Sequence, residues 1–467
     1  MKQLSFLFVL FLLSTIALSS CSTNPETAED AANSIHTHAF CEWIAKEPQT
    51  CTKSGVYERI CQCGEVEIST REATGHTFGE WEIASRADCT ADGKKIRTCK
   101  CGETEICIIS AAHTLVDNVC SVCNKSACTD LAFTLNDDKV SYSVSGIGNC
   151  KNSVLIIPST YNGLPVTGIA DSAFANCDKI SSVEFGGGIS RIGSNAFYKC
   201  YTLNKISISN SVTVIGDSAF EGCTRLTSVT IPTGVTTIGD SAFNGCLYLP
   251  EISIPNTVQS IGKSAFAYCR NLKTVKIGKG LTSIPNETFY ECSVLNSVRL
   301  EGNVTLIGDR SFYDCGKLTD ISLGDGITYI GNYAFYNCYT LKDIILPENL
   351  KSIGKYAFYH CNKLTEITVP DSVIYIGDHA FQGCDNLQYV TIGKGVKKIG
   401  YKTFNLCSSL VEITIPKSIT EIGYEAFFEC RRLEKVLYEG GYAEWKNITI
   451  SGYNQNLTDA DIYYFSP

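Results

Sequence analysis

The sequence predicts a repeat solenoid: twelve stacked rungs of 23 residues, each a short strand plus a short helical turn, preceded by a small cysteine-rich β/loop region. Three observations predict it. Twelve cysteines (Cys177, Cys200, Cys223, Cys246, Cys269, Cys292, Cys315, Cys338, Cys361, Cys384, Cys407 and Cys430) follow one another at intervals of 23 residues without an insertion. Each has a Phe three residues before it, from Phe174 to Phe427, and an Ile eight residues before it, from Ile169 to Ile422. After each cysteine, apolar residues at +6 and usually +8 alternate with polar ones at +5 and +7, the period of a half-buried strand.

Taken in chain order, the first element is residues 1–21. Lys2 precedes an apolar run from Leu4 to Leu18, too short for a confident membrane span and suited to a secretory signal. It closes on Leu18-Ser19-Ser20-Cys21, which resembles the bacterial lipobox. The resemblance implies a lipoprotein signal peptide with Cys21 as the lipidated new N-terminus. Residues 22–35 hold no bulky apolar cluster and read as a flexible tether. No second apolar segment follows, so the expectation is a chain that meets the membrane through its lipid anchor only.

Residues 36–128 carry a different repeat, with a 38-residue period. His38, Phe40, Trp43, Cys51, Cys61 and Cys63 recur as His76, Phe78, Trp81, Cys89, Cys99 and Cys101, and a shortened copy runs from His113 to Cys120 and Cys123. The pattern resembles short His/Trp/Cys repeats beside repeat domains in surface proteins of gut bacteria. A module this small needs a staple. Cys51, Cys61, Cys63 and His76 make one Cys₃His set, and Cys89, Cys99, Cys101 and His113 a second, as structural zinc would require. Disulfides are the rival staple in a secreted chain, with Cys41 and Cys107 as further candidates. Either role is structural, and no other cofactor is required.

Residues 129–168 contain Phe133, Leu135, Tyr142, Val144 and Val154–Ile157, short strands read as an N-terminal cap. Residues 169–437 are the rungs. Gly follows the Ile in ten of them, with Ala170 and Pro285 as the exceptions, and Leu stands three residues after the cysteine except at Ile180. A single rung buries too little to offset the entropy of ordering 23 residues, so stability requires stacking, and a constant length keeps Phe and Cys in register. Residues 438–467, with Trp445, Ile448, Ile450 and Ile462–Phe465, leave the register and read as a C-terminal cap protecting the open strand edges.

The unit Ile-Gly-x-x-Ala-Phe-x-x-Cys-x-x-Leu-x-x-Ile-x-Ile-Pro, with Pro232, Pro255, Pro347, Pro370 and Pro416 at the last place, closely resembles the BspA-type leucine-rich-repeat surface proteins over residues 165–438. The resemblance implies a leucine-rich-repeat solenoid at the extracellular face of a bacterial envelope, in the outer membrane or the cell membrane. It also implies an adhesin or host-interaction role, with protein ligands from host matrix or other cells. A surface scaffold, or an accessory lipoprotein binding glycans or nutrients, is the alternative.

Composition agrees with a folded binder. Charged residues are 19% and hydrophobic ones 44% of 467, which excludes a disordered polyampholyte, and the net charge of −9 argues against nucleic acid. The repeat cysteines read as small buried apolar residues rather than redox groups. The sharper feature is aromatic. Tyr290, Tyr313, Tyr336 and Tyr359 stand two residues before the cysteine in four consecutive rungs, with Tyr333 and Tyr356 three residues earlier in two of them. Stacked at rung spacing they would make a strip suited to ligand binding, since tyrosine gives contact area at low entropy cost. Catalysis finds no support. Only His360 and His379 lie among the rungs, and no H-E-x-x-H, nucleophile elbow or phosphate loop occurs.

Overall fold

The computed structural model describes residues 42–48, 50, 54–60, 66–71, 75, 77–85, 93–109, 115–116, 119–120 and 130–465. The chain divides into two compact units, Met1–Gly79 with Thr98–Glu103, and Glu80–Arg97 with Thr104–Pro467. The leader, Cys21 and the tether lie outside the described residues. Among those described, no helix is long and apolar enough to cross a membrane.

In the first unit Ile44–Glu47, Gly55–Ile60 and Val66–Arg71 form a three-stranded antiparallel sheet. The Arg59 guanidinium lies 4.7 Å from the centre of the Trp43 ring and pairs with Glu67 at 2.6 Å. Glu82–Ser85, Gly93–Thr98 and Thr104–Ile109 form another three-stranded sheet, in which Arg97 lies 4.7 Å over Trp81 and pairs with Glu105 at 2.6 Å. The 38-residue period thus carries an Arg and a Glu as well as the Trp.

The rungs of the second unit have three walls. On the first, strands at +5 to +8 pair in parallel with a register shift of one repeat, as Glu251–Ile254 does with Thr274–Ile277. Ile252 and Ile254 point inward while Glu251 and Ser253 face solvent. This wall is interrupted around Thr230 and Ile345, where no strand forms. The second wall is a ladder of two-residue strands ending on the Ile eight before the cysteine, such as Tyr329–Ile330 beside Ser352–Ile353.

The third wall, expected as a short helical turn, is a run of linked turns. Alternate amides bond within the rung, Tyr198 N–H to Asn195 O (3.0 Å) and Cys200 N–H to Phe197 O (3.2 Å). The others bond along the axis: Asn195, Phe197 and Lys199 N–H donate to Asp217, Ala219 and Glu221 O at 2.7–2.8 Å. A helix would aim every amide along its own axis. Here two residues per rung, five and one before the cysteine, take left-handed φ and turn alternate amides toward the neighbour. Asn195 and Lys199 have φ of 56° and 54°, and the same two places in the other rungs are also left-handed.

The Gly after the Ile exists for the stacking. A Cβ on Gly331 would lie 2.6 Å from both Gly308 C and Asp309 N of the preceding rung. In the one rung with Pro285 there, the Thr288 hydroxyl donates to the Pro285 carbonyl at 2.7 Å. The core is continuous. The phenylalanines from Phe174 to Phe427 stack with centroids 5.1–5.8 Å apart.

At the N-terminal end Ala132–Leu135 runs antiparallel to Tyr142–Gly146, which pairs in parallel with Leu164–Ile169, and Cys150 is held in a disulfide. At the C-terminal end Asn454 stands in for a further rung. Its Oδ1 accepts from Phe427 N–H at 3.0 Å, and its Nδ2 donates to Gly423 O at 2.9 Å. Lys435–Tyr438 pairs with Asp461–Tyr464, the last strand.

Candidate functional site

The turn wall brings together all six tyrosines read from the sequence. Tyr290, Tyr313, Tyr336 and Tyr359 form one stack, with centroids 4.8, 4.6 and 4.6 Å apart and planes within 11°. Tyr333 and Tyr356 form a second stack at 4.8 Å, joined to the first by tilted contacts of 5.7 Å at Tyr336 and Tyr359. The two places are next to each other because the turn wall projects side chains five and two before the cysteine on the same side, while Phe and Cys go inward. All six rings are half-buried.

The fold does not demand them. Two before the cysteine, six of the other rungs hold Ala175, Glu221, Asn244, Ala267, Gln382 and Asn405, and two hold the isolated aromatics Tyr198 and Phe428. Burial pushes Tyr290 and Tyr336 up to about 12, and raises Tyr313 and Tyr356, so these hydroxyls stay protonated donors. With ring faces covering one another, the strip offers edges and hydroxyls.

The structure adds members that the sequence reading missed. His379 stacks on Tyr356 at 4.2 Å and meets Tyr401 edge-on at 5.0 Å, and Tyr424 and Tyr453 continue the row. Reading the place five before the cysteine as aromatic, not as tyrosine, would have found His379. At the other end Tyr268 meets Tyr290 at 63°, and the Arg310 guanidinium lies 5.3 Å over Tyr333. Here an open cleft of about 410 Å³ is lined by Ser264, Ala267, Tyr268, Glu287, Tyr290, Arg310, Tyr313 and Tyr333.

The repeat cysteines do other work. From Cys200 to Cys430 all eleven are buried free thiols, and Cys177 is half-buried. Each of the eleven donates its thiol to the carbonyl of the Phe in the preceding rung, Cys200 to Phe174 and Cys315 to Phe289 for example, at 3.1–3.3 Å. Desolvation pushes Cys200 and Cys269 up to about 12 and raises the other nine as well. Such thiols are poor nucleophiles and poor ligands.

Of the candidate zinc or disulfide residues, Cys51, Cys61, Cys63, His76, Cys89, His113 and Cys123 lie outside the described residues. The backbone of Cys120 is in a two-residue strand, Cys99 is buried, and Cys101 is exposed. Among the described residues no group of three or more His, Cys, Asp or Glu is placed to hold a metal.

Comparison with known proteins gives one family. The BspA type leucine rich repeat region matches in six copies, over residues 148–272, 215–342 and 328–456. No curated protein sequence matches. Among solved structures, the chain is similar to a leucine-rich repeat protein from Bacteroides ovatus, at 28% identity and a TM-score of 0.47, covering 72% of this chain and 98% of that one. A leucine rich cell surface protein from Faecalibacterium prausnitzii gives 26% identity and 0.45, covering 68% and 96%. The pneumococcal vaccine antigen PcpA gives 19% and 0.43, covering 82% and 98%.

Proposed function

Because the chain belongs to the BspA-type leucine-rich-repeat family, we propose that it is a lipid-anchored surface adhesin that grips protein ligands with its tyrosine wall. The solenoid is a scaffold type, and no catalytic family is indicated. One observation supports it above the rest: two parallel tyrosine stacks occupy consecutive rungs, at places that most other rungs fill with non-aromatic side chains such as Ala267, Gln382, Ser264 and Lys402. Half-buried rings that expose edges and hydroxyls suit a protein surface, where aromatic anchors contribute most of the binding energy. Packing in the stack holds them in place before the partner arrives, which lowers the entropy lost on docking.

Anchoring through Cys21, residues 22–35 as tether, and zinc or disulfides as the staple of residues 36–128 complete the proposal. Metal content and thiol count of the purified full chain separate the two staples. The function is tested by measuring the full chain against immobilised collagen, fibronectin and laminin, and against glycans, with Tyr313→Ala, Tyr336→Ala and Tyr359→Ala as variants. Binding to a matrix protein that each variant weakens at least fivefold supports the wall. Unchanged binding would sink it, and retention by glycans alone would favour the accessory-lipoprotein alternative.

A further inference from the structure

The two tyrosine stacks end two rungs apart, at Tyr290 and at Tyr333, and both ends border one cleft. Tyr359, Tyr336, Tyr313 and Tyr290 follow at ring-stacking distance, but the next rung back holds Ala267. Tyr356 and Tyr333 are followed in their column by Arg310, Glu287 and Ser264. Beyond Tyr290 the first column drops to Ala267, and beyond Tyr333 the second turns polar, so the ends of the two stacks border a cleft of about 410 Å³. That is within the rough 300–1,000 Å³ of small-ligand sites.

Its polar groups narrow the ligand class. The two charged side chains of the lining, Glu287 and Arg310, pair at 3.5 Å and offset each other, while Lys263 reaches Glu287 at 3.5 Å from outside the lining. Hydrogen-bonding capacity remains. The Glu287 carboxylate accepts from the Ser264 hydroxyl at 3.0 Å, yet has about four lone-pair sites, and a guanidinium carries five N–H groups. Tyrosine rings wall the cleft, with Tyr268 exposed at its mouth. A carboxylate beside a guanidinium can hold two neighbouring hydroxyls of one ring, while the exposed Tyr268 and the end ring Tyr290 border its C–H face.

We propose that this cleft binds a neutral pyranose unit of a glycan. The site is distinct in chemistry from the protein-gripping wall and does not rest on that reading. Saturation-transfer NMR on the full chain tests it with methyl α-glucopyranoside, methyl β-galactopyranoside and methyl N-acetyl-β-glucosaminide. Choline, sulfate and N-acetyltyrosinamide serve as the cationic, anionic and aromatic comparators. At least one pyranoside binds, and Glu287→Gln weakens it at least fivefold. Ala267→Tyr extends the stack with the residue that four following rungs already hold there. It abolishes pyranoside binding, and because Ala267 is buried, circular dichroism verifies that the variant is folded. Absence of pyranoside binding, preference for a comparator, or a pyranoside affinity untouched by either variant overturns the proposal. Loss of matrix binding in the Tyr336 and Tyr359 variants is a separate result, so failure of one reading does not imply failure of the other.

Discussion

Gly331→Ala strikes the contact on which the stack depends. The added methyl carbon would lie 2.6 Å from Gly308 C, Asp309 N and Asp309 Oδ1. Two of these are backbone atoms that cannot swing aside, so the rungs must separate locally. Two bonds cross that seam, Gly331 N–H to Ile307 O and Asn332 N–H to Asp309 Oδ1, both 2.8 Å. Overpacking costs about 1–3 kcal/mol, and weakening two partly buried hydrogen bonds adds about 1 kcal/mol each. The expected loss is about 3–5 kcal/mol. Gly187→Ala is the control, because a Cβ there meets nothing within 4 Å and its φ is not left-handed. It should stay within about 0.5 kcal/mol of the parent. Urea unfolding followed by circular dichroism and by protease susceptibility reads both. A Gly331→Ala protein as stable as the control would refute the idea that close rung approach selects glycine.

Leu406, at φ 62°, sits in a left-handed site whose counterpart in the preceding rung is Gly383 at φ 70°. Leu406→Gly should stabilise by about 0.5–1 kcal/mol, the left-handed penalty less the glycine entropy, and Gly383→Ala, whose Cβ would also lie 2.9 Å from His360 Nε2, should destabilise by at least that in the same urea assay. Asn454→Ala removes the partner of Phe427 N–H and one donor to Gly423 O. It should cost about 2–4 kcal/mol and raise hydrogen exchange in the last rung before the earlier ones. Stability should fall as pH rises above about 9. The buried thiols have folded values raised toward about 12 at Cys200 and Cys269, so only the unfolded chain ionises there. Their contribution is whole below the unfolded value and lost toward the folded one, at about 1.4 kcal/mol per pH unit per thiol. Melting temperatures between pH 7 and 11 check this.

Much of the fold was legible because a stacked core repeats its demands. Phe197 and Cys200 recur at a fixed interval since any slip would carry them out of the spine, and the outcome at Phe220 and Cys223 follows. The turn wall was not legible. Its left-handed residues range from Ser218 and Asn195 through Glu287 and Lys402 to Tyr333 and His379, with no shared chemistry, because hydrogen bonds to the next rung impose the conformation from outside. The Cys-to-Phe thiol bonds span 26 residues and so escape a reading keyed to 23. Tyrosines at a single place announced the first stack. Tyr268 and His379 were hidden by a shifted place and a different aromatic, and the cleft by the smallness of Ala267 and Ser264.

The solenoid stands on a spine of sealed thiols and rings, and mass-spectrometric thiol labelling reads that spine directly. Native full chain treated with iodoacetamide and no reductant should leave Cys200 to Cys430 unmodified, and the same chain in denaturant should be alkylated at all eleven. Modification of these cysteines in the native protein, or their recovery as disulfides after unfolding, would contradict it.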